Sequence, residues 1–124
     1  VLFSDHPELE RMMFMRPAGE PRTVYLYARH GRTQDIIHYI NENLRQAMTA
    51  VAAQDALAAG WLGPSPHAPA AADRMGDVIV TMRDGYVLLT EKERKWADKM
   101  KGRHGGMTHA EMQVPWLGFH LEGW

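Results

Sequence analysis

The chain has 124 residues, of which 45% are hydrophobic and 23% charged, with 11 Gly and 7 Pro, the composition of one ordinary globular unit rather than of a disordered or collagen-like chain. Its 14 basic and 15 acidic side chains leave a net charge of −1, so no whole-chain field favours nucleic acid or an anionic membrane, and any phosphate specificity must be local. The absence of cysteine excludes a disulfide framework, thiolate zinc ligands and a cysteine nucleophile, and is compatible with a cytoplasmic location.

In chain order, Met12-Met13-Phe14-Met15 is a short apolar run followed at once by the turn-forming Pro17-Ala18-Gly19-Glu20-Pro21. Thr23 to Ala28 is β-branched and aromatic, which predicts a half-buried strand forming a hairpin with that run. Past Gly31, Thr33 is a candidate cap for a helix over 33–46, where Ile36, Ile40 and Leu44 recur at four-residue steps and Asp35 sits near the positive end. Met48 to Val51 reads as a short strand, Gln54 to Ala59 as a short helix stopped by Gly60, and the Pro- and Ala-rich stretch 64–72 as a surface loop. Asp77 to Arg83 and Tyr86 to Thr90 are apolar runs around Asp84-Gly85, and predict a second hairpin.

Residues 91–103 are densely charged, and predict a solvated helix with a Glu91 to Lys95 pair, a substrate-attracting basic rim being the alternative. Thr108-His109-Ala110-Glu111 has the form of a capping box, so a short helix should begin just after the loop Gly102-Arg103-His104-Gly105-Gly106. The two glycines permit close backbone approach and leave the His104 ring unobstructed; read from these residues alone, His104 is either surface decoration or a metal ligand. The nine methionines read as core filler, and Trp61, Trp96, Trp116 and Trp124 as packing anchors. The fold class expected is α/β (α+β), a mainly antiparallel sheet with one long helix and short helices packed on it. Within the single unit 1–124, residues 1–90 form a small α/β part, 91–103 a charged segment and 104–124 a C-terminal segment.

The string from His104 to Pro115, His-Gly-Gly-Met-Thr-His-Ala-Glu-Met-Gln-Val-Pro, resembles the C-terminal signature of the type I phosphodiesterase/nucleotide pyrophosphatase family of the alkaline phosphatase superfamily. Gly19-Glu20-Pro21-Arg22 leading into Tyr25-Leu26-Tyr27, Ala58 to Pro64, and Asp73 to Val78 resemble bacterial members in the same order, so the likeness runs from about His6-Pro7-Glu8-Leu9 to Pro115. The resemblance implies part of an alkaline-phosphatase-like fold, with His104 a ligand of one of two catalytic metals, usually zinc. It also implies that the nucleophile, the other ligands and an Asp-His-Gly motif belong to an earlier segment outside this chain. Ser4-Asp5-His6 has Pro7 where that motif needs glycine, and Asp5 and His6 stay unassigned.

The implied activity is hydrolysis of phosphate esters or anhydrides, with a phosphate ester or nucleotide as substrate. The chain opens on Val1 with no initiator methionine, no signal-like pattern and no run near the roughly 18 apolar residues of a membrane span. It is therefore expected to be a cut piece, inactive and without a stably bound metal in isolation, whose partner is the catalytic N-terminal part of the same protein, with a homo-oligomer possible and no nucleic acid or membrane partner. Two other readings stay open. Arg29-His30-Gly31-Arg32-Thr33 resembles the motif of histidine phosphatases and phosphoglycerate mutases, in which His30 would be the phosphorylated nucleophile and Arg29 a phosphate clamp. Alternatively, the chain is a non-catalytic interaction module.

Overall fold

The computed structural model describes residues 1–120; Trp124 and the end of the C-terminal segment lie outside them. A 3-10 turn at Phe3–Asp5 leads into helix α1, Pro7–Met12, which starts on a proline whose missing N–H costs nothing at a helix start and carries Glu8 and Glu10 in its first turn. The next elements are strands β1, Ala18–Glu20, and β2, Thr23–Leu26, helix α2, Thr33–Asn43, strand β3, Met48–Ala52, and helix α3, Ala53–Ala58. Helix α4, Ala71–Arg74, strand β4, Val78–Met82, and helices α5, Glu91–Ala97, and α6, His109–Met112, complete them. The class is α+β: one antiparallel sheet of four strands in the order β1-β2-β4-β3. Among the described residues no helix is long and apolar enough to cross a membrane.

Strand pairing follows residue type. β4 is apolar except for Thr81 and lies in the middle, with Val24 and Leu26 of β2 opposite its Val80 and Val78, and Met48 and Ala50 of β3 opposite its Met82 and Val80. Period-two alternation brings these side chains to one face, where they pack on Ile36 and Ile40 of α2 and Leu9 of α1, all fully buried. The other face is covered at one end by Ala53, Ala56 and Met75 around Ile79.

Several expectations change in detail. Both edges of β4 are occupied by β2 and β3, so Tyr86–Thr90 cannot form the expected hairpin with it. The Asp84-Gly85 turn is present, with Asp84 at φ +40°, but the chain then leaves the sheet. The Leu88 N–H donates to the Pro21 carbonyl, the Leu89 N–H donates to the Val1 carbonyl, and the Leu89 carbonyl accepts the Phe3 N–H. The hairpin in the first quarter forms one register later than expected. Ala18–Glu20, assigned to the turn, is itself β1, closed on β2 by Pro21-Arg22, while Met13 meets Ala28 in a single bridge. Gly19, at φ +88°, is required there because a Cβ would lie 2.7 Å from the Thr23 carbonyl oxygen. Helix α2 ends at Asn43 rather than at residue 46 because Leu44 leaves helical angles to turn the chain into β3, and its N-cap is Arg32 with no side-chain bond. The capping box occurs at Thr90 and Glu93, which open α5, rather than at Thr108 and Glu111. Glu91 approaches Arg94 at 4.0 Å instead of pairing with Lys95. Of the tryptophans, Trp61 packs beside the smaller cluster, whereas Trp96 and Trp116 are largely exposed.

The outer edge of β3 is covered by one side chain. Asn41 of α2 donates from Nδ2 to the Ala50 carbonyl and accepts the Ala50 N–H at Oδ1, both at 2.9 Å, taking the place of a neighbouring strand. Asn41→Ala should therefore lower stability by about 1–2 kcal/mol in a urea titration and speed hydrogen exchange at the Ala50 amide. An unchanged midpoint together with unchanged exchange would show that this edge does not depend on Asn41.

Candidate functional site

Arg22 sits in the β1–β2 turn, two residues before Val24 and four before Leu26, and so shares their inward parity. It is 6% exposed, the one charged residue buried among the described residues. Every nitrogen of its guanidinium donates. Nη1 donates to the carbonyls of Asp84 at 2.7 Å and Tyr86 at 2.6 Å, while Nε and Nη2 each donate to one carboxylate oxygen of Glu111 at 2.6 Å. This fork-on-fork pair joins three segments distant in sequence: the first hairpin, the turn after β4 and helix α6.

Glu111 also accepts the Thr108 hydroxyl at 2.6 Å and the Gly106 N–H at 3.2 Å. The hydrogen bonds from Arg22, then that from Thr108, hold its carboxyl down to about 2 from an ordinary 4.5, and the same pairing raises Arg22. The carboxylate thus accepts the Thr108 hydroxyl at its own helix start and, through Arg22, also fastens α6 to the first hairpin. The glycines serve the same contact. A Cβ on Gly106 would overlap the Glu111 carboxylate, and one on Gly105, at φ +82°, would press on Glu20 at 3.2 Å. Their close approach is therefore to protein groups on both sides of the loop.

His104 stands in this pinned loop with its side chain exposed. Hydrogen bonds within the chain are made by His6, to the Tyr39 hydroxyl, and by His67, to the Gly63 carbonyl; His104 has none among the described residues. No group of three His, Asp or Glu side chains that could hold a metal ion occurs among the described residues. The donor set here is thus one accessible imidazole, suited to one corner of a tetrahedral zinc site whose other donors would have to come from elsewhere.

Arg29 and His30 lie in the exposed turn before α2, and Arg32 is paired with Asp35 at 2.6 Å. Through Gly105 and Glu20, the His104 loop packs where Thr23 begins β2, whereas His30 follows the other end of that strand. His38 and His109 are exposed. Sequence reasoning gave Arg22 no role. Its parity with Val24 and Leu26 was the available signal, but with 15 acidic residues in the chain nothing in the sequence picked out Glu111 as its partner.

In comparisons with known proteins, the chain matches no family model, no curated protein and no solved structure.

Glu111→Gln keeps the shape of the side chain and removes its charge, leaving the Arg22 guanidinium without a counter-ion; a loss of about 2–3 kcal/mol in unfolding free energy at neutral pH is expected. A carboxyl held below its ordinary value binds its proton less readily when folded than when unfolded. Its contribution is therefore complete above pH 4.5 and is lost as pH falls toward about 2. Unfolding curves across that window should fall less steeply for the Gln variant than for the parent, and parallel curves would remove Glu111 from the account.

Proposed function

We propose that this chain is the C-terminal portion of a metal-dependent phosphodiesterase/nucleotide pyrophosphatase with an alkaline-phosphatase-like fold, and that His104 is its contribution to the metal centre. One observation carries the reading. Within the signature string, Gly106, Thr108 and Glu111 take part in the Arg22 clamp and Gly105 packs on Glu20, while His104 has no such contact among the described residues and keeps its ring exposed on the same loop. Imidazole presented from a loop fixed on both sides, with little freedom left to lose on coordination, is what a metal ligand requires.

In this reading the substrate is a phosphate ester or anhydride, and a bound divalent ion supplies the positive charge that stabilises developing charge on oxygen. The chain's own residues hold and orient. Neutral His104 offers a ring nitrogen, and the Arg22–Glu111 pair keeps the loop from swinging away. The nucleophile and the remaining ligands belong to the catalytic N-terminal part, proposed as the partner of this chain. An apolar C-terminal stretch, with Val114 80%, Trp116 91% and Phe119 83% exposed, supports a surface that such a part would cover.

In a protein comprising this chain and the catalytic part, His104→Ala should reduce zinc-dependent hydrolysis of bis(p-nitrophenyl) phosphate by at least about 100-fold without altering the melting curve, because the side chain is exposed. Unchanged turnover would take His104 out of the metal site. The 124-residue chain alone should neither turn this substrate over nor bind zinc tightly, since a single imidazole holds a divalent ion weakly.

A further inference from the structure

A cavity of about 470 Å³ opens between α5 and the segment that follows β4, on the outer side of the Arg22–Glu111 pair. That volume lies within the range of small-molecule sites, roughly 300–1,000 Å³. Part of its wall is apolar, formed by Val87, Leu89 and Met100, and Lys101 and Arg103 also line it. Neither cation is paired with a carboxylate among the described residues. Arg22 and Glu111, which also line the cavity, neutralise each other and have little left to offer a ligand. Lys101 and Arg103 then outweigh Asp84, the remaining charged group of the wall.

The geometry points to a binding site for a phosphate monoester with a planar or apolar body, the chemistry of a nucleoside monophosphate. Phosphate oxygens lie between the Lys101 ammonium and the Arg103 fork, the second of which takes two oxygens at once. The body packs on Val87, Leu89 and Met100, and the Asp84 carboxylate accepts from a hydroxyl at the other end of the ligand. Of the basic residues in 91–103, Lys101 and Arg103 thereby line a cavity, while α5 buries no side chain. This site needs no metal and no other polypeptide, so it stands or falls separately from the His104 reading.

Calorimetric titration of the whole chain in EDTA, with adenosine 5′-monophosphate, adenosine and inorganic phosphate as probes, tests the inference. The monophosphate should bind at least about 10-fold more tightly than adenosine or phosphate alone, and more weakly as salt is raised. Lys101→Gln with Arg103→Gln should weaken it by about 10-fold or more, whereas His104→Ala should leave it unchanged. Both variants alter exposed or half-buried side chains, and melting curves check that they fold. No binding at millimolar monophosphate, equal binding of adenosine, or indifference to the double substitution would each overturn the site.

Discussion

A guanidinium taken out of water has to be met by an opposite charge and by acceptors for its N–H groups, and the placing of the C-terminal segment against the first hairpin follows from how Arg22 meets that demand. Two carbonyls from the turn after β4 and both oxygens of Glu111 surround it. Had the contacts been water-exposed, the pair would contribute little. With Arg22 buried, removing Glu111 strands the guanidinium charge in a poorly hydrated place. The consequence is geometric as much as energetic, because α6 has only four residues, His109–Met112, buries no side chain of its own and is held at this point by a carboxylate.

The sheet supplies the rigid base. β4 is hydrogen-bonded on both sides, so its neighbours are fixed, and the chain that leaves it at Asp84 is diverted to lie against Pro21 and the N-terminal residues. The edge of β3 is closed by the Asn41 carboxamide, and β1, with three residues, is too short to recruit another strand easily. Association through sheet edges is thereby discouraged. The exposed features near the clamp are the loop at His104, the cavity beside Lys101 and Arg103, and the apolar stretch beyond α6.

These features converge on one loop. Arg103 and His104 are adjacent in sequence, the first lining the cavity and the second exposed next to the two glycines that pack on Glu20 and Glu111. A single clamp thus sets the position of both a cation and an imidazole. In the proposed enzyme that arrangement would deliver the metal ligand at a fixed place while most other residues of the signature serve only to hold it.

Local chemistry was enough to establish the elements whose cause is local. The four-residue repeat of Ile36 and Ile40 made α2, the β-branched run of Val78 to Met82 made β4, Gly60 ended α3, and the turn at Asp84-Gly85 formed where expected. Partner choice was decided only in three dimensions. The apolar run Tyr86 to Thr90 was legible as such, yet its pairing depended on whether β4 had an edge left, which no single segment records. Glu111 was legible as a helix-start residue, and its carboxylate does accept the Thr108 hydroxyl there, but its pairing with a buried arginine 89 residues away in the chain was decided only by the fold. His104 was singled out from the string around it; that Gly106, Thr108 and Glu111 are absorbed by the Arg22 clamp, leaving that ring exposed, is a matter of tertiary structure, since a side chain's vacancy is defined only by what its neighbours have already found.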